Sequence, residues 1–142
     1  MKRIQRIIIL CQLSFILLTG TTALASEVQM LIFYQQGCPW CARMDKTLKE
    51  PDIQRLLKEY TRITRINVRG METIPGFKRN GTDLTREYKI SGTPTIIFVD
   101  NKEKVLLRVP GALSKQDFMD VVCQYIPGTR KEKECIGNGD AL

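Results

Sequence analysis

The stretch YQQGCPWCARM, Tyr34 to Met44, sets Cys38 and Cys41 two residues apart. That spacing suits three chemistries. One is thiol–disulfide exchange, in which one thiolate attacks and the second thiol resolves the mixed disulfide. Another is a thiolate metal site for zinc or copper(I). The third is a local disulfide staple, the weakest of the three because closing so small a loop removes little unfolded-state entropy. Histidine is absent from the chain, which removes the commonest general base and the commonest neutral metal ligand. Chemistry has to come from cysteine, carboxylate, lysine or backbone.

The elements around the pair decide between these readings. Val28 to Tyr34, VQMLIFY, is an apolar, β-prone run that reads as a buried strand, and Gln35-Gln36-Gly37 breaks it. A helical pattern starts at Pro39, a residue suited to the first helical position. Cys38 then sits just before the helix, where free N–H groups and the helix dipole favour a thiolate. Cys41 follows one turn later, facing inward. Cys38 is therefore the expected nucleophile and Cys41 its resolving partner.

The N-terminus points to export. Lys2, Arg3 and Arg6 precede an apolar run from Ile7 to Leu18, and Ala23-Leu24-Ala25 supplies small residues for cleavage. Residues 1–25 are read as a signal peptide cleaved after Ala25; the alternative is an uncleaved anchor extended through Leu24. Cys11, inside the apolar run, reads as a small hydrophobe. The mature chain, Ser26 to Leu142, has 117 residues, with 19 basic against 15 acidic. That is enough for one core, and the spread of charge offers no basic stripe with interleaved aromatics, so nucleic acid is excluded as a partner.

Export also bears on the four remaining cysteines, because an oxidising compartment lets them pair. Of three pairings, 38–41 with 123–135 is the simplest. Cys123 lies near Met119 and Ile126 and reads as a buried small apolar residue. Cys135 stands in a polar tail. A structural disulfide between Cys123 and Cys135, tying the tail over the last helix, is the expectation; an auxiliary redox pair relaying electrons to Cys41 is the sharper alternative. A Cys₄ zinc centre fits poorly, since Cys123 and Cys135 do not form a close-spaced knuckle, and a copper(I) carrier using Cys38 and Cys41 alone is harder to set aside.

Along the rest of the chain, Pro51 interrupts the first helix, and Ile53, Leu56, Leu57 and Tyr60 continue an apolar face. TRITRINV carries a second strand, residues 69–83 a long loop, and Leu84 to Ile90 a short helix. Thr95 to Val99 is a strongly apolar strand, joined by a hairpin at residues 100–103 to Val105–Val109. Ser114 is an N-cap for a final helix through Ile126, with Phe118, Val122 and Tyr125 on its buried face. Pro127-Gly128 stops it. Residues 26–127 form the domain and residues 128–142 a polar tail, in which RKEKE reads as a solvated face. Strands separated by helices ask for parallel crossovers, and the hairpin adds an antiparallel edge. The fold class is α/β, a central four-stranded mixed sheet with helices on both faces.

GCPWC after a first strand, with GTPT before a strand some fifty residues later, resembles the thioredoxin superfamily from about Val28 to Ile126. LIFYQQGCPWC, INVRG with its long loop and YKISGTPTIIFVD are most similar to exported SoxW-like thioredoxins. That resemblance implies a thioredoxin-like fold and a periplasmic protein thiol-disulfide oxidoreductase, a reductase fed by a membrane electron donor of the CcdA/DsbD kind, with no cofactor beyond the Cys38–Cys41 redox centre. It also implies a cis Thr93–Pro94 turn that sets Thr93 backbone groups beside the sulfurs to pair with an extended substrate. Trp40 is expected to line the substrate surface, and Pro39-Trp40 to tune the potential. Two departures stand out. Thioredoxins carry a buried acid on the first strand, where this chain has Ile32, and Gly37 replaces the usual tryptophan before the first cysteine. Neither a dimerisation region of the DsbC kind nor the helical insertion of DsbA is recognisable, so a monomeric reductase is expected, with oxidase and isomerase activity left open.

Overall fold

A computed structural model of the protein describes residues 28–136. The expected signal peptide, with Cys11, and the last six residues lie outside them. Four strands and five helices occur among the described residues, in the order β1 (Val28–Tyr34), α1 (Pro39–Leu48), α2 (Pro51–Tyr60), β2 (Thr61–Asn67), α3 (Gly81–Glu87), β3 (Thr95–Val99), β4 (Val105–Pro110), α4 (Lys115–Tyr125), a 3₁₀ turn (Thr129–Lys131) and α5 (Lys133–Ile136). The sheet order is β2-β1-β3-β4, an open mixed α/β sheet.

β1 and β3 are central, so both of their faces must be apolar. Met30 and Ile32 of β1, with Ile96 and Phe98 of β3, pack against Met44 of α1, Ile53, Leu56 and Leu57 of α2, and Phe118 and Val122 of α4. The alternate residues, Leu31, Phe33, Ile97 and Val99, face the other way onto Leu84 of α3, Phe77 and Tyr88. The period of two along each strand thus builds two cores, one on each side of the sheet. Each side chain of this size contributes about 1.5–3 kcal/mol when fully buried. The edge strand β2 carries Arg62, Thr64 and Arg65 and buries only Ile66, a composition that discourages further pairing.

Strand direction corrects one expectation. β2 runs parallel to β1, but β3 is antiparallel to it. Residues 68–94 are chain enough for a crossover, but α3, seven residues long, is held at the end of β2, where Thr82 N donates to the Gly70 carbonyl at 3.1 Å, and the chain re-enters the sheet at Thr95, opposite Phe33, from the end at which it left. α3 also starts earlier than the pattern Leu84–Ile90 indicates, because the Asn80 side chain accepts from Asp83 N at 2.8 Å and caps it. Lys89, at φ 51°, follows its end. Gly81 has to be glycine, since a Cβ there would lie 2.1 Å from the Asn67 carbonyl oxygen at the end of β2.

Tyr125 is 48% exposed, against its expected burial on the last helix. The buried stripe runs through Phe118, Met119 and Val122 to Ile126, and Tyr125 falls just beyond its edge. The tail expectation also changes. Cys135 is bonded to Cys123, and the segment they tie down forms a 3₁₀ turn and a short helix. The charge alternation of RKEKE is not a solvated face on both sides: Glu132 and Glu134 turn inward onto Arg55 of α2, while Lys131 and Lys133 are exposed.

Candidate active site

β1 leaves the sheet at Tyr34, and β3 enters it at Thr95, which pairs with Phe33. The segments Gln35–Cys38 and Ser91–Pro94 therefore meet at one end of the sheet. Gly37, at φ 73°, makes the turn that a residue with a Cβ resists, and Pro39 begins α1.

Cys38 is the N-cap of α1, and its sulfur takes the place of a capping oxygen: Cys41 N donates to Cys38 Sγ at 3.2 Å. No acidic residue stands in the first turn of the helix, so nothing competes with the sulfur for the positive helix end. The Thr93–Pro94 peptide bond is cis. Thr93 faces the same sulfur, its hydroxyl donating to Cys38 Sγ at 3.5 Å and its carbonyl accepting from the thiol at 3.5 Å. The Cys38 thiol is held below its ordinary range, first by the hydrogen bond from the Cys41 thiol and then by the Thr93 hydroxyl and the backbone N–H groups of Cys41 and Trp40. Partial burial opposes that shift without reversing it.

Cys41 is 6% exposed. Its pKa is pushed up, mainly by burial and then by the hydrogen bond it gives to Cys38. The two sulfurs are therefore driven apart in acidity, which assigns attack to the outer one and resolution to the inner one. The strand position below is Ile32, 3% exposed and part of the core, so no first-strand acid lies under Cys41.

The cysteines open onto a shallow depression of about 440 Å³, whose walls include Tyr34, Gln35, Asp45 and Arg65. Asp45 and Arg65 form a bidentate pair at 2.8 and 3.1 Å. Sequence reading did not single them out, since they stand 20 residues apart and only their opposite charges link them. Trp40 is 57% exposed, with the Arg43 guanidinium 5.3 Å from its ring centroid. The i,i+3 spacing on a helix was the available sign of that contact.

Cys123 and Cys135 lie on α4 and α5, away from this end of the sheet, and are bonded to one another. They cannot complete a Cys₄ zinc centre with Cys38 and Cys41. Among the described residues no cluster of three or more potential metal ligands occurs.

A family model of the thioredoxin-like domain matches residues 20–126. Comparison with curated protein sequences finds no match. Solved structures similar to the chain include a thioredoxin-fold protein from Helicobacter pylori, 22% identical over 75% of this chain and 73% of that one, with a TM-score of 0.65. A thioredoxin from Thermus thermophilus is 25% identical over 80% of this chain and 77% of that one, with a TM-score of 0.56. A structure described as DsbH oxidoreductase is 19% identical over 69% and 71%, with a TM-score of 0.56. With the family model spanning both strands of the site and the helix that Cys38 caps, the chain belongs to the thioredoxin-like family.

Proposed function

We propose that the protein is an exported thiol–disulfide oxidoreductase acting as a reductase of protein disulfides, of the SoxW-like kind. The observation that carries this reading is the split between the sulfurs: Cys38 capping a helix N-terminus with Thr93 against it, and Cys41 buried one turn behind. The Cys38 thiolate attacks one sulfur of a client disulfide, forming a mixed disulfide and expelling the first client thiolate. Cys41 then loses its proton and attacks Cys38 Sγ, expelling the second client thiolate and leaving Cys38–Cys41 oxidised. Two electrons pass to the client, and a donor dithiol has to return them; a membrane carrier of the CcdA/DsbD kind fits export to the periplasm. Trp40, Thr93 and Pro94 form the client-facing rim around Cys38.

The deciding experiment is the reduction potential of Cys38/Cys41, with exchange assayed on a disulfide substrate such as insulin. A value near about −270 mV supports the reductase, and one near about −120 mV overturns it in favour of an oxidase. No exchange, together with tight retention of copper or zinc, sinks the oxidoreductase reading altogether.

A further inference from the structure

We propose that Arg43, held on the Trp40 ring beside Cys38, selects client segments that carry a carboxylate next to the disulfide cysteine. The inference rests on the exchange activity proposed above and concerns which clients that site prefers.

Arg55, Arg65, Arg79 and Arg86 each pair with at least one carboxylate. Arg108 and Arg130 donate to the carbonyls of Tyr88 and Gln124. Arg43 has no carboxylate or carbonyl partner among the described residues; its contact is the face of Trp40. A guanidinium laid on an aromatic ring keeps its N–H groups at the edge, free for an incoming acceptor. The stack also limits the side-chain entropy that binding an anion costs.

The surroundings leave this charge unanswered. The segments that meet at this end of the sheet, Gln35-Gln36-Gly37, Ser91-Gly92-Thr93 and Gly111-Ala112, carry no charge. In the loop after β2, residues 68–80, Arg69, Lys78 and Arg79 stand against one carboxylate, Glu72. α1 has no acid before Asp45, and Asp45 is taken by Arg65. A client strand laid across Cys38 and Thr93 thus meets an apolar ring with a cation on it, and beyond the Cys38 thiolate itself the one carboxylate of α1, Asp45, is already paired. The complementary occupant is an acidic segment of a client protein.

The effect to expect is that of an ion pair at a solvated rim, a change of about two- to fivefold in rate. It has to be read against an opposing trend, because a carboxylate beside a disulfide repels any attacking thiolate. Three disulfide peptides identical except for Glu, Gln or Lys beside the cysteine are reduced by the protein, and each second-order rate constant is divided by that of a small free dithiol. The normalised rates should fall in the order Glu, Gln, Lys, and the spread should shrink as salt rises from about 0.02 M to about 0.5 M. Arg43→Gln should bring the Glu/Lys ratio close to that of the free dithiol, and Arg43→Lys should restore part of it. Any general effect of Arg43 on the Cys38 thiolate changes all three rates alike and leaves the ratio untouched.

Equal normalised rates in the unaltered protein, a preference for Lys, or an acidic preference that survives Arg43→Gln would overturn the proposal while leaving the oxidoreductase reading in place. Failure to reduce any of the three peptides, when the free dithiol reduces them, overturns both.

Discussion

Thr93 meets Cys38 across 55 residues of sequence, its hydroxyl and its carbonyl each 3.5 Å from the sulfur. The hydroxyl donates to the thiolate, as does the Cys41 thiol, whose contribution is the larger. Removing either donor should raise the Cys38 pKa and so lower the thiolate fraction at neutral pH. Thr93→Val is expected to slow alkylation of Cys38 by roughly two- to tenfold at pH 7, and Cys41→Ala to slow it more. Alkylation rate against pH measures both. A Thr93→Val profile superimposed on that of the unaltered protein would remove Thr93 from the account.

Burial of Cys41 keeps it from attacking clients directly, yet it stands one helical turn from Cys38. Cys41→Ser should therefore accumulate a mixed disulfide through Cys38, close to one client per chain, because the second displacement is lost. Cys38→Ser should trap none. Non-reducing electrophoresis after incubation with a disulfide client reads both outcomes, and trapping through Cys41 would reverse the assigned order of attack.

What could be read in advance was mostly local. Gly37, Cys38 and Pro39 define a strand-to-helix turn in consecutive residues, and the apolar runs of β1 and β3 mark strands covered on both faces. The direction of β3 depends on α3 docking at the end of β2, through Thr82 N and the Gly70 carbonyl, which no local pattern states. The inward turn of Glu132 and Glu134 depends on Arg55, at a separation of 79 residues for the pair with Glu134. In isolation RKEKE carries the same charges whether solvated or paired. Asp45 and Arg65 were invisible as part of the site for the same reason.

The Cys123–Cys135 bond closes a loop of sequence separation 12 between α4 and α5. Loop-closure entropy for that length is worth about 3 kcal/mol. The double variant Cys123→Ser/Cys135→Ser should unfold at lower denaturant, by about that amount of free energy, while exchange through Cys38 and Cys41 persists. Denaturant melts and insulin reduction on the same preparation separate the two effects. Loss of exchange in a variant that remains folded would favour a redox relay through the pair.

Acid should loosen the same C-terminal segment. Glu132 is held below the usual carboxylate range, first by the Tyr60 hydroxyl and then by Arg55, and Glu134 is held down mainly by Arg55. A carboxylate with a depressed folded-state pKa stabilises the fold above its ordinary value of 4.5, and that contribution is lost as pH falls through the depressed one. Tyr60, pushed up to about 12 by Glu132, gives the opposite limb: its contribution is intact below the ordinary value of 10.0 and lost as pH rises toward about 12. Between these limits the segment should be insensitive to pH. Amide exchange at Cys135 and Ile136, whose N–H groups donate to the Glu132 carbonyl, should accelerate below pH 4.5, and more steeply in the Cys123→Ser/Cys135→Ser variant, where the covalent tie to α4 is gone. Arg55→Met should weaken that acid dependence, because it removes the cation that Glu132 and Glu134 share. Exchange rates at these two amides that, after correction for intrinsic chemistry, stay flat down to about pH 3 would show that the carboxylates do not hold the segment in place.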